Sequence, residues 1–334
     1  MRPTRMLMLM LMLMLMLMLM LMRESWRGVG GRMTYVVVGA RGGTGAGSSR
    51  ARTDVVTRTV TSADGTAIGF LSQGRGPGVI LVQGAMADVQ AYRRFAAVLS
   101  TAYTVHSVDR RGRGLSPRPY SADHDIARDV EDVDAVLAAT GATAVFGLSS
   151  GAVITLEAAR TLPRVRAAAV YEPPFYQDGI DRAGVRRLAG EIERGDLASA
   201  LIDSLLVAET APAVIRRMPR VIARVAARLV IAVDAVVRRG GPTFRSLLPG
   251  VRYDFHDVAQ VDGRLDEYVT VRKPVLVVSG TASPAFLRAA ARRVATVLPD
   301  AQHVELDGLG HDGPWNHGAP EQVAAAVAAF LASE

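Results

Sequence analysis

From residue 54 onward, short β-branched and aromatic runs alternate with stretches whose apolar residues recur every three or four positions. Val55–Thr61 and Thr66–Ser72 are predicted strands joined through Asp64-Gly65, a tight-hairpin signal. Further strands are predicted at 78–83, 103–109, 143–148, 166–171, 274–279 and 302–306. Helices are predicted between and after them, at 88–100, 123–140, 152–162, 284–298 and 320–332. A hairpin followed by alternating strand and helix predicts an α/β fold, with a mostly parallel eight-stranded sheet covered by helices on both faces. Residues 176–250 interrupt the alternation. They hold no strand pattern and read as several helices, for instance 197–207 and 213–237, rich in Leu, Ile, Val and Ala. The expected organisation is therefore a core from 54–175 and 251–334 with a helical cap at 176–250. The cap would pack its own core and turn an apolar face to the sheet edge.

Residues 1–53 lack this pattern and read as a low-complexity extension. Ten of the 13 methionines lie in the first 22 residues, and 6–22 alternate Met and Leu without a break. As a helix that tract would be roughly 26 Å long, at the short limit for crossing a bilayer. Arg2 and Arg5 precede it as in a signal peptide. However, Arg23-Glu24-Ser25-Trp26 follows with no small-residue cleavage site, and arginines flank both sides. The preferred expectation is a non-structural or over-extended start, with Met33 a plausible initiator, and a membrane anchor second. Residues 35–47 imitate a dinucleotide-binding loop. No apolar helix follows them and no acid ends a second strand about 20 residues on, so they read as a linker.

Charge narrows the partners. The net +7 arises in the extension, where eight arginines face one acid, Glu24; residues 54–334 hold 31 basic and 31 acidic side chains. An electrically even body gives no nucleic-acid footprint. The chain has no cysteine, which excludes disulfides and thiolate metal sites. The six histidines are scattered without metal-ligand spacing. Neither a metal nor a cofactor is expected, and the location is expected to be cytoplasmic unless the Met-Leu tract anchors or exports the chain.

The most informative residues are Gly147-Leu148-Ser149-Ser150-Gly151, between a predicted strand and a predicted helix. A side chain at either glycine would collide in so tight a turn. Ser149 is thereby pushed out at the carboxyl edge of the sheet, where a base can activate it and backbone N–H groups can hold an oxyanion.

In the order of its parts the chain resembles the α/β-hydrolase superfamily, in its cap-containing, cofactor-free esterase and haloperoxidase-like branch. Four segments carry the resemblance. Val79-Ile80-Leu81-Val82-Gln83-Gly84-Ala85 is similar to the family's strand and His-Gly-X loop, with Gln83 in place of His. Asp109-Arg110-Arg111-Gly112-Arg113-Gly114-Leu115-Ser116 is similar to its Asp-x-Arg-Gly-x-Gly-x-Ser turn. The remaining two are the elbow at 147–151 and Leu309-Gly310-His311 before the last helix.

The resemblance implies a Ser-His-acid triad with Ser149 as nucleophile and His311 as base. Backbone N–H groups of Ala85 and Ser150 would form the oxyanion hole, with Gly84, Gly147 and Gly151 in support. The acid departs from the pattern. Ser283 stands where the family usually has Asp, and its Ser-Pro sequence reads as a helix N-cap. Some members carry the acid one strand earlier, where this chain has Glu172; Asp307 is the fallback, and Asp312 adjoins His311 too closely to reach its ring. Asp109 and Arg111 are expected to organise their turn without reacting. The implied function is hydrolysis of an ester or related acyl bond, on a small substrate with an apolar part. A ligand-binding member without turnover, a membrane-attached lipase and a perhydrolase remain alternatives.

Overall fold

The computed structural model describes residues 54–238 and 240–334. The Met-Leu tract, Met33 and segment 35–47 lie outside the described residues. β1 (Val56–Thr61) and β2 (Ala67–Gly74) pair antiparallel, Val56 opposite Ser72 and Thr61 opposite Ala67. Gly65 closes the hairpin at φ +83, a conformation that side chains resist. The other strands are β3 (Gly78–Val82), β4 (Thr104–Val108), β5 (Ala144–Leu148), β6 (Ala167–Tyr171), β7 (Val275–Gly280) and β8 (Ala301–Leu306). They complete an eight-stranded sheet in the order β1-β2-β4-β3-β5-β6-β7-β8, parallel from β4 through β8.

The central strands are short and wholly apolar because both faces are covered: β5 and β6 are buried at every position. On one face lie α1 (Arg93–Leu99) and, at the end of the chain, α11 (Pro320–Leu331). On the other lie α2 (Ile126–Thr140), α3 (Ser150–Thr161) and α10 (Ala285–Val297). Chain order brings β5 to the middle of the sheet, so the turn between β5 and α3 opens at its carboxyl edge.

Between β6 and β7 the chain makes a helical excursion. It comprises α4 (Arg182–Glu193), α5 (Leu197–Val207), α6 (Ala213–Arg217), α7 (Arg220–Val237) and α8 (Phe244–Leu247). Leu201, Ile202, Ala227, Val230, Ile231 and Leu248 form a small core of its own. The sequence predicts one helix over 213–237, but it is broken at Met218-Pro219. Met218 is extended (ψ 136), as a residue before proline prefers, and Pro219 opens a new helix instead of continuing the old one. Two further elements went unread in the sequence, α9 (Val251–Val261) and a 3-10 segment at Leu265–Thr270. Ser283 is not the N-cap expected of it. Pro284 holds that position in extended conformation, so the Ser283 hydroxyl lies one residue too far out and is buried without a hydrogen-bond partner among the described residues. Among the described residues no helix is long and apolar enough to cross a membrane.

Candidate active site

The turn after β5 is as tight as the two glycines demand. A Cβ on Gly147 would sit 2.2 Å from the Gly151 carbonyl oxygen, and one on Gly151 would sit 2.4 Å from that of Gln83. Ser149 takes φ 55, ψ −121, a conformation that costs a side-chain-bearing residue on the order of 1–3 kcal/mol. Its N–H donates to the Tyr171 carbonyl at 3.0 Å, which ties the turn to the end of β6.

Glu172 follows directly after β6, also at positive φ (49), and is fully buried. Its carboxylate accepts from the Gly280 N–H at 2.8 Å through Oε1 and lies 2.6 Å from His311 Nδ1 through Oε2. An ionised carboxylate only accepts, so the hydrogen between them belongs to Nδ1 and Nε2 is left as the ring's acceptor. The His311 loop is fixed from beneath by Tyr171, whose hydroxyl donates to the Gly310 carbonyl at 2.7 Å. His311, Ser149 and Ala85 line one cleft. Most of its remaining wall is apolar, including Tyr176, Ala208, Phe255, Val258, Phe286 and Leu287. The Tyr176 and Phe286 rings stack at 5.3 Å.

Across the cleft, the loop after β3 passes against the turn. A Cβ on Gly84 would meet the Leu148 carbonyl oxygen at 2.9 Å. Met86 takes φ 59, and the Gly84 N–H donates weakly, at 3.4 Å, to the Tyr92 hydroxyl. Gln83, the departure from the family's His, is buried; its amide donates to Asp109 at 3.3 Å and its carbonyl accepts from the Arg110 N–H at 3.4 Å. Asp109 also accepts from the Val89 and Leu115 N–H groups, both at 2.8 Å. Burial, with the nearby Asp88 charge, pushes its carboxyl up to about 6. Arg111 turns away from the cleft to Asp132 and Asp64.

Behind the turn lies a buried ionic cluster. Arg110 contacts Asp129, Asp254 and Asp257 and donates to the Ser150 hydroxyl at 3.1 Å. His124 Nε2 lies 2.9 Å from both Asp129 and Asp257. Burial alone would lower the His124 pKa, but its hydrogen bonds to those two aspartates outweigh that and raise it to about 9. His124, Asp129 and Asp257 have metal-ligand character and proximity. The Arg110 guanidinium already supplies positive charge to both carboxylates.

The remaining candidates lie elsewhere. Asp307 is exposed and accepts from the Thr281 hydroxyl at 3.0 Å. Asp312 pairs with His317 at 3.3 Å, and His303 sits within β8, 3.3 Å from the Ser279 hydroxyl. Sequence reasoning missed Tyr171, Arg113 and Asp254. The last sits in α9, where Val251, Phe255 and Val258 at helical spacing were the available signal.

The family model for the alpha/beta hydrolase family matches residues 79–326. A pimeloyl-[acyl-carrier protein] methyl ester esterase of Stenotrophomonas maltophilia is 28% identical, over 78% of this chain and 95% of that protein. The polyketide synthase ThaQ of Burkholderia thailandensis is also 28% identical, but the chain spans only 12% of its length. Among solved structures, an alpha/beta hydrolase from Sphaerobacter thermophilus superposes with a TM-score of 0.66 at 29% identity. That match covers 82% of this chain and all of that one.

Proposed function

The chain belongs to the alpha/beta hydrolase family, and from that premise we propose that it is a cofactor-independent serine hydrolase of carboxylic esters. Ser149 is the nucleophile, His311 the general base and then acid, and Glu172 the carboxylate that orients and charge-stabilises the imidazole. The Ser149 oxygen attacks the ester carbonyl carbon as its proton passes to His311 Nε2. The resulting oxyanion is held by the Ala85 and Ser150 N–H groups. Collapse breaks the bond to the alcohol, which leaves with the proton from His311. Water, deprotonated by the same nitrogen, then attacks the acyl-serine and releases the acid.

One observation supports this reading above the others. A fully buried carboxylate lies 2.6 Å from the nitrogen of an imidazole that shares a cleft with a serine in strained conformation. With Glu172 in that place, the serine at 283 no longer argues for a binder without turnover. The apolar cleft wall supports an ester with an apolar acyl part, and the helical excursion serves as its cap. The relatives named as methyl ester esterases of a carrier-bound acid agree with that chemistry.

The test is turnover of p-nitrophenyl esters of graded acyl length, with fluorophosphonate labelling, in the full chain and in Ser149→Ala. The variant is expected to lose both turnover and label. Label that persists in Ser149→Ala would overturn the assignment of the nucleophile.

A further inference from the structure

One carboxylate reaches both sides of the cleft in which the oxyanion is proposed to sit. Asp254 lies in the first turn of α9, immediately after the helical excursion, and its side chain is 2% exposed. Oδ1 accepts from the Ser150 hydroxyl at 2.7 Å and from Arg110. Oδ2 accepts from Arg113 at 2.7 Å. Arg113 is buried in turn, and its other terminal nitrogen donates to the carbonyls of Gly84 at 3.1 Å and Ala87 at 3.2 Å, on either side of Ala85-Met86.

The Gly84 carbonyl and the Ala85 N–H belong to one peptide group. That group is planar and trans, so its C=O and N–H point in opposite directions. A guanidinium that holds the carbonyl on one side therefore aims the N–H to the other. At Ser150, the hydroxyl bond fixes the first residue of α3, whose N–H is the other proposed donor.

We propose that Asp254 is a positioning residue for the oxyanion hole, acting directly on Ser150 and through Arg113 on the Ala85 peptide. The proposal rests on the serine-hydrolase reading. Asp254 acts on transition-state stabilisation through other groups and takes no proton from the substrate. Removing its charge leaves Ser149, His311 and Glu172 in place but lets both donors drift. An oxyanion donor lost outright costs ~10²–10³ in kcat, and donors that are displaced instead of removed are expected to cost ~10–100-fold.

The experiment compares Asp254→Asn, Ser150→Ala, the double variant and Ser149→Ala as full chains. The first three are measured for kcat and KM on a p-nitrophenyl ester, per site titrated by fluorophosphonate, and Ser149→Ala is assayed per mole of folded protein. Two inhibitors of the same carbon skeleton are also bound: a trifluoromethyl ketone, which becomes a tetrahedral oxyanion on the serine, and the secondary alcohol, which does not. Asp254→Asn is expected to lower kcat ~10–100-fold with KM within ~2-fold, and to weaken the ketone by the same factor while the alcohol is unchanged. Ser150→Ala should lose part of this, and the double variant no more than Asp254→Asn, because the Ser150 bond is one of the two routes that Asp254→Asn already disrupts.

Wild-type kcat in a fully titratable Asp254→Asn protein, or equal weakening of ketone and alcohol, would overturn the proposal. Should Asp254→Asn fail to fold, an unchanged ketone-to-alcohol ratio in Ser150→Ala overturns it and a lowered ratio supports it. Turnover surviving in Ser149→Ala has a different signature, and removes the serine-hydrolase reading itself.

Discussion

Replacing Glu172 with glutamine keeps the side chain's size and exchanges a carboxylate oxygen for an NH₂ group at a fully buried position. The two oxygens have different partners, the Gly280 N–H at 2.8 Å and His311 Nδ1 at 2.6 Å, and the amide cannot serve both as the carboxylate does. In one orientation its oxygen takes the Gly280 N–H and its NH₂ faces His311. Nδ1 must then be the acceptor, Nε2 carries the hydrogen, and the ring is in the wrong tautomer to receive the serine proton. In the flipped orientation the tautomer is correct, but NH₂ meets the Gly280 N–H and a buried donor goes unpaired, at about 1–3 kcal/mol. Either way the imidazolium loses its counter-charge. Carboxylate-to-amide exchange at such a position costs about 10⁴ in kcat, or about 5.5 kcal/mol of barrier; the flipped state permits some recovery, so a loss of ~10³–10⁴ is expected. The assay is initial rate on a p-nitrophenyl ester per titrated site, with the thermal midpoint as control for folding. Retention of more than a tenth of wild-type kcat in a folded Glu172→Gln protein would refute the assignment of the acid.

Other expectations follow from the same geometry. Asp307→Asn alters an exposed pair with Thr281 and should leave kcat within ~2-fold; a loss exceeding that of Glu172→Gln would move the acid to Asp307. Ser149→Gly removes the nucleophile and its backbone strain together, so it should be inactive yet about 1 kcal/mol more stable in urea unfolding; a lower stability contradicts the strain argument. A Cβ on Gly151 would press on two backbone oxygens, of Gln83 and Val82, that cannot step aside, so Gly151→Ala should cost about 3 kcal/mol by the same measurement; an undiminished stability would contradict the crowding. His124 is held protonated in the fold, with its pKa raised to about 9 from 6.5. Its contribution is present in full below pH 6.5 and is lost as pH rises through 9, up to about 3 kcal/mol. His124→Gln should flatten that part of the stability curve, and an unchanged slope would sink the linkage.

The strands and the helices on the sheet faces were legible because their burial follows a simple period. α9 was not, because Asp254 and Asp257 both point inward to Arg110, which lies 144 and 147 positions earlier. A buried acid paired with so distant a partner reads locally as a solvent-facing one. The break at Pro219 was in plain view, but the apolar spacing runs on through it. In the candidate site, the turn at 147–151 was legible because steric demand is local. Glu172 could be singled out by its place at a strand end, although its contact with His311 spans 139 positions. The Arg113 clamp on the loop after β3 left no sequence signal, since it acts on backbone carbonyls, which every residue possesses.

In the proposed triad the acid directly follows β6, so β7 meets the proton relay only at its last residue, through the Gly280 N–H, which is backbone. Residues 281–284 then carry no proposed side-chain role, but the Thr281 and Ala282 N–H groups donate to the Leu306 and Leu309 carbonyls and so brace the segment before His311, and the chain runs on into Phe286 and Leu287 on the cleft wall. An insertion here would shift His311 together with the cleft wall, whereas side-chain changes at Phe286 and Leu287 would retune acyl selectivity with that bracing intact.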